Sequence, residues 1–209
     1  MVANDLYLLT KKDLKKASLM LTRAFHNDPL VCLIYPNEDE RKKYSPFLWE
    51  YLLRDGIRYG EVYSPSDKIE GTAKWLSPSK VHMTIWRSLR SGALKMGMMT
   101  SRQRDERALP MKKIAEITNH ITELHKELVT KPHWYLANIG VAPEHQGKGF
   151  GSKLIKPMLD RIGKEGYPVF LETNFEGNVA LYEHFGFNVI DERIIPETDI
   201  INWAMLKNK

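Results

Sequence analysis

The sequence predicts an α/β protein in which short strands and amphipathic helices share one core. Three observations lead there. A chain of 209 residues with 43% hydrophobic and 27% charged residues can bury one sizeable core and has the composition of a globular domain. Short apolar runs bounded by Gly and Pro interleave with stretches whose apolar residues recur at three- and four-residue steps, the signals of strand and helix respectively. In residues 134–151 an apolar run leads into three glycines at alternate positions and then straight into a helical pattern. No internal repeat, low-complexity stretch or linker divides the chain, so residues 1–209 read as a single domain.

Residues 6–9 form a short strand, and Thr10 with Asp13 makes a capping box in which Asp replaces the usual Glu or Gln. The helix that follows sets Leu14, Ala17, Leu21 and Ala24 or Phe25 on one face, and Asn27, Asp28 and Pro29 stop it. After the break at Tyr35 and Pro36, a second helix spans residues 38–58 with Phe47, Leu48, Tyr51 and Leu52 inward. Gly56 and Gly60 mark the change to strand. Residues 61–64 and 69–76 pair as a hairpin about Ser64, Pro65, Ser66 and Asp67. From 81 to 128 the pattern is helical, with breaks at Gly92, Gly97 and Pro110. Its last piece is the clearest helix, with Met111, Ile114, Ile117, Ile121, Leu124 and Leu128 along one face. His120 and His125 there are five apart, the wrong offset for a shared face, so they do not suggest a metal site.

Residues 134–141 form a buried strand, and after the turn a helix runs through Leu154, Ile155, Met158, Leu159 and Ile162 until Gly163 and Gly166 end it. Residues 169–173 are apolar enough for an interior strand. Residues 178–185 form a short helix closed by Gly186, and 187–190 and 202–206 are two last strands about Pro196.

The net charge of +5 and pI near 9.1 mildly favour anionic small molecules. Much of the excess lies in Arg87, Arg90, Lys95, Arg102, Arg104, Arg107, Lys112 and Lys113, against Asp105 and Glu106. Such runs are usually solvated helix faces, and no nucleic-acid fold signature accompanies this one, so no nucleic-acid partner is expected. The single cysteine, Cys32, excludes an internal disulfide framework, fits a reducing compartment, and reads as a small buried apolar residue rather than a nucleophile. The N-terminal residues lack a signal-peptide core and no stretch is apolar enough to span a bilayer. A cytoplasmic chain without a membrane partner is the expectation.

Gly147, Gly149 and Gly151 carry the chemistry most visibly. Glycines let a backbone approach a ligand closely, and a helix start offers about four unpaired N–H groups with partial positive charge. The junction therefore suits a phosphate, although a strand-to-helix turn that only changes direction has the same local pattern. A P-loop needs Gly-Lys-Ser/Thr, and here Lys148 precedes Gly149. A dinucleotide fold needs an acid about twenty residues on. Glu172 stands near there, but the hairpin and helices that come first argue against that fold.

The segment 133–190 resembles the cofactor-binding core of the GNAT superfamily of N-acetyltransferases. The signature, Gln or Arg, two residues, Gly, one residue, Gly or Ala, stands here as Gln146, Gly147, Lys148, Gly149, Phe150 and Gly151. Around it lie Ile139, Gly140 and Val141 with Pro143 shortly after, the strand VFLETN, and Asn178, Tyr182, Gly186 and Phe187. Looser similarity extends to Ala24, Phe25, Asp28 and Pro29 and to the strand from Gly71 to Pro78, and points to the branch containing puromycin acetyltransferases. Residues 81–128 fall where such families vary on the substrate side.

The resemblance implies a mixed, mostly antiparallel sheet with a splayed parallel pair, flanked by helices. It implies acetyl-CoA as co-substrate, no metal, and a primary amine of a small molecule as acceptor, acetylated by direct transfer in a ternary complex. The backbone of Gly147 to Ser152 would hold the pyrophosphate. The strand edge at Ile139, Gly140 and Val141 would pair with the pantetheine arm and polarise the thioester. Asn178 would hydrogen-bond the pantetheine or cap its helix. Tyr182 would protonate the leaving thiolate or merely pack on its helix. Glu172 would serve as base or hold a loop, with Asp28 and Glu61 as further candidates for substrate contact and His145 exposed beside the turn. A homodimer, an idle acyl-CoA-binding regulatory module and a protein or peptide acetyltransferase stay open at this point.

Overall fold

A computed structural model describes residues 5–103 and 105–209; Arg104 of the basic run lies outside them. At its centre seven strands lie in the order β1 (Tyr7–Leu8), β2 (Glu61–Ser64), β3 (Gly71–Leu76), β4 (Trp134–Val141), β5 (Val169–Thr173), β7 (Ile201–Lys207) and β6 (Asn188–Ile194). Every neighbouring pair is antiparallel except β4 and β5. A parallel pair needs a crossover, and helix α7 (Phe150–Glu165) supplies it.

Alternation along the strands divides the core in two. On β5, Val169 and Leu171 join Leu154, Ile155, Met158 and Ile162 of α7, with Tyr182 of α8 (Gly177–His184), while Phe170 faces the other way. On β2, Tyr63 joins the α7 side and Val62 the opposite one. That opposite face is covered by α1 (Leu14–Ala24) and α3 (Glu38–Tyr59) near β1 and β2, and by α6 (Met111–Leu128) near β5 and β7. The capping box at Thr10 and Asp13 is formed, the Thr10 N–H donating to the Asp13 carboxylate at 2.8 Å.

Four local expectations are corrected. Asp28 and Pro29 end α1 but also open a short helix, α2 (Pro29–Ile34), because Asp28 accepts from the Val31 N–H and proline suits a first helical position. Gly97 does not break the chain. It lies inside α5 (Ala93–Thr100), whereas Gly92, at φ +104°, separates α5 from α4 (Ile85–Ser91). Strand β3 begins at Gly71 because Ile69 sits at φ +58°. The fully buried residues of α3 are Arg41, Tyr44, Ser45, Trp49, Leu53, Asp55 and Gly56; of the expected set, Leu48 and Leu52 pack against this core, half-buried at its edge. Phe47 and Tyr51 instead meet the added helices: Lys95 lies over the Phe47 ring, and Tyr51 Oη is 2.9 Å from Ser88 Oγ. Cys32 is half-buried and unpaired.

Candidate active site

The site is made where the sheet fails to stay paired. Strand β4 pairs with β3 along its length, from Tyr135 opposite Leu76 to Val141 opposite Gly71. It pairs with β5 only from Trp134 to Leu136. At that point the register shifts: Trp75 faces Leu136 but Lys74 faces Asn138, leaving Ala137 as an extra residue. A bulge of this kind bends its strand, and the rest of β4 parts from β5.

A cleft of about 700 Å³ opens over the gap. Its walls are Ile139, Gly140 and Val141 of β4, the turn from Gln146 to Ser152 without Lys148, and Asn178 and Tyr182 of α8. The connection between α1 and α2, with Phe25, His26, Asn27 and Asp28, closes one side. Gly140 also serves packing, since a Cβ there would lie 2.6 Å from Phe25 Cε2 and 2.9 Å from Leu21 Cδ2.

Gly147 and Gly149 sit at φ +72° and +77°, in the left-handed region, so the turn requires glycine at both. A side chain at Gly151 would meet no atom within 4 Å; glycine there leaves the helix mouth open. Gly149 caps α7 without a side chain, and the first backbone N–H bonded back to it is that of Lys153, at 3.1 Å. The N–H groups of Phe150, Gly151 and Ser152 thus lack a side-chain cap at the positive end of a 16-residue helix, an arrangement that holds anionic oxygens. Gln146 Nε2 donates to the Val141 carbonyl at 3.1 Å and ties the turn to the strand end. Lys148 turns away, its Nζ bonded to the Glu144 carbonyl at 2.7 Å. His145 lines the cleft with its ring edge-on to Phe150.

Tyr182 reaches the cleft from α8 with 6% of its surface exposed and its ring edge-on to Phe187. Burial pushes its pKa up to about 12. Asn178 is not the cap of α8; its Nδ2 donates to Thr173 Oγ1 at 3.1 Å, binding the helix to the end of β5. Asp28 lines the cleft, and burial raises its carboxyl pKa despite the backbone N–H groups of Val31 and Leu30 that favour the ionised form. Glu61 is elsewhere, paired with Arg161 at 2.8 Å and with the Tyr63 hydroxyl.

Glu172 is the first β5 residue beyond the paired stretch, faces the same way as Phe170, and does not line the cleft. Tyr135 donates to its Oε2 at 2.9 Å, whereas Oε1 is buried without a partner. Burial drives its pKa up to about 7, against weaker opposition from the Tyr135 hydroxyl. Asn202, 2% exposed, leaves its Nδ2 unpaired on the same face, and Asn138 Oδ1 of β4 is unpaired too.

Two buried clusters left no trace in the local pattern. Asp55 of α3 receives Lys74 Nζ at 2.7 Å and a two-pronged bond from Arg87 of α4, so Arg87 is not a solvated charge. His125 of α6 and His133 meet at 2.7 Å between their Nε2 atoms, with Lys131 O against the far nitrogen of His133. Each links residues far apart in sequence or on different elements, and only residue spacing within one element is legible beforehand. Among the described residues, no cluster of three or more His, Cys, Asp or Glu is arranged to hold a metal ion.

Several solved structures described as acetyltransferases share this fold. An arylalkylamine N-acetyltransferase from Aedes aegypti matches with a TM-score of 0.64 at 14% identity, covering 97% of each chain. A Corynebacterium glutamicum protein described as a histone acetyltransferase and related acetyltransferase matches with a TM-score of 0.62 at 21% identity, covering 97% of this chain and 94% of that one. Such identities speak for the fold alone. Family membership rests on sequence: the acetyltransferase (GNAT) family model matches residues 59–187. An uncharacterized N-acetyltransferase of Schizosaccharomyces pombe is 34% identical over 181 residues, 84% of this chain and 71% of that protein. The chain belongs to the GNAT family.

Proposed function

We propose that this chain transfers the acetyl group of acetyl-CoA to a primary amine of a small molecule, directly, within a ternary complex. The observation that carries the reading is the uncapped start of α7 behind two left-handed glycines, opening onto the gap between β4 and β5. The pyrophosphate lies on the N–H groups of Phe150, Gly151 and Ser152, and the pantetheine arm runs along Ile139 to Val141 with Asn178 beside it. A backbone N–H near Val141 stabilises the oxyanion of the tetrahedral intermediate; a comparable donor in another enzyme is worth about 3–4 kcal/mol.

The amine nitrogen attacks the thioester carbonyl carbon, the C–S bond breaks, and the amine loses one proton while the thiolate gains one. Glu172 takes the first, across the gap, through its unpartnered oxygen. Near neutral pH it is poised to do so, since its pKa is about 7. Tyr182 supplies the second. Against a thiol of pKa 8.5 in water, a tyrosine near 12 would donate uphill by about 5 kcal/mol. Burial of the leaving thiolate beside the Tyr182 hydroxyl would raise its pKa too and narrow the gap.

Supply of acetyl-CoA with a panel of small amines should release free CoA, read as thiol. Tyr182→Phe should lower kcat by about a hundredfold, the lower range for a positioned proton donor, with donor affinity by calorimetry unchanged. Full turnover in that variant would remove the assigned role. Tight acetyl-CoA binding without acetylation of any amine would mark an idle binding module instead.

A further inference from the structure

Helix α4 is built inside out. Its buried positions are Arg87 and Ser91, with Ser88 bonded to Tyr51, while Ile85 is 81% exposed, Trp86 76% and Leu89 42%. In a 3.6-residue helix, positions 85, 86 and 89 share the side opposite 87 and 91. The cause is visible in the packing. The bidentate bond from Arg87 to Asp55 draws the polar side of α4 onto α3 and turns the apolar side to solvent. Leu94 and Met98, one turn apart on α5, are 71% and 59% exposed. Among the described residues nothing covers this face. Large apolar side chains left exposed together on neighbouring helices mark an interaction site.

Its charge identifies the partner. From Gly71 to Arg104 the sequence holds no Asp or Glu. Lys80, Arg90 and Lys95 are exposed on or beside the two helices; Lys95 pairs with Glu50, and Lys80 and Arg90 make no ion pair with the described residues. A second copy joined through the same face would set these cations against themselves, since a two-fold interface is self-complementary. Aliphatic side chains with a tryptophan, ringed by Lys and Arg, suit the boundary of an anionic bilayer, where the apolar groups enter the headgroup region and the cations meet the phosphates.

We propose that α4 and α5 seat this protein on anionic lipid surfaces. The expectation of no membrane partner rested on the lack of a spanning segment. No helix among the described residues is long and apolar enough to cross a membrane, and seating on a surface requires none.

The test is co-sedimentation of the full chain with phosphatidylcholine vesicles, with and without about a quarter phosphatidylserine, a content that gives an appreciable surface charge. Binding is expected only with phosphatidylserine and should fade at high salt. Trp86→Asp and Arg90→Glu, both at exposed positions, should each weaken it about tenfold or more while melting temperature and acetyl transfer to a soluble amine stay unchanged. Failure to bind either vesicle, or equal binding by Trp86→Asp, would overturn the proposal. So would a dimer in light scattering that Trp86→Asp converts to monomer, or saturable binding of an acidic peptide without vesicle binding.

Discussion

In the proposed reaction Glu172 and Tyr182 would carry opposite proton traffic, and burial raises both of their pKa values. For a base, a rise to about 7 makes the ionised fraction depend on pH across the neutral range. The acid limb of kcat/KM should therefore titrate near pH 7, and Glu172→Gln should abolish that limb while lowering the plateau by about a hundredfold. A limb that persists in the variant would assign the base to another group, with Asp28 in the cleft as the next carboxylate to replace. The same residue shows what a sequence conceals. An acid at the end of an apolar strand is legible in FLETN, but its bond to Tyr135 depends on the pairing of β4 with β5.

Helices α3 and α4 show how a few buried charges decide the pose of an element. Asp55, Lys74 and Arg87 are all at most 5% exposed. Burial alone would raise the Asp55 pKa, but the bonds from Arg87 and Lys74 outweigh it and hold the carboxyl ionised. Removing the one anion leaves two cations in a dry interior, so Asp55→Ala should destabilise the fold by about 3–5 kcal/mol in urea unfolding. A loss below 1 kcal/mol would mean that water reaches the cluster. The periodicity of α6 was readable because its apolar stripe faces the sheet. In α4 the apolar residues Ile85, Trp86 and Leu89 share one side, yet that side faces solvent, because the ion pair of Arg87 with Asp55 draws the other side inward.

For the molecule as a whole, stability should carry two opposing pH slopes from the face beneath α6. Burial, with nearby His133 and His82, lowers the His125 pKa from 6.5 to about 3. A histidine depressed in the folded state contributes stability above its unfolded pKa and loses it as pH falls through 6.5 toward 3. Between pH 7 and 5 that loss is about 2 kcal/mol. His133 is depressed too and adds in the same direction. Glu172 runs the other way: its folded pKa is raised, so its contribution is full below about 4.5 and is lost as pH rises through 7. Wild type should thus change little from pH 7 to 5, whereas Glu172→Gln, with only the histidine slope left, should lose about 2 kcal/mol or more. Equal slopes in denaturant titrations of the two proteins would refute the opposition.

What the sequence determined by itself was whatever adjacent residues enforce together. The glycine turn at Gly147 and Gly149, the capping box at Thr10 and the apolar stripe of α6 belong here, as does the order of elements that placed Tyr182 and Asn178 downstream of the turn. Local backbone preference and helical period operate within a few residues, so a single chain displays them. Tertiary structure alone decided where β4 leaves β5, which carboxylates reach the cleft, how His125 meets His133, and which side α4 turns outward. Each depends on partners brought together from distant positions, and the energy that fixes them comes from burial and pairing that exist only once the chain has closed on itself.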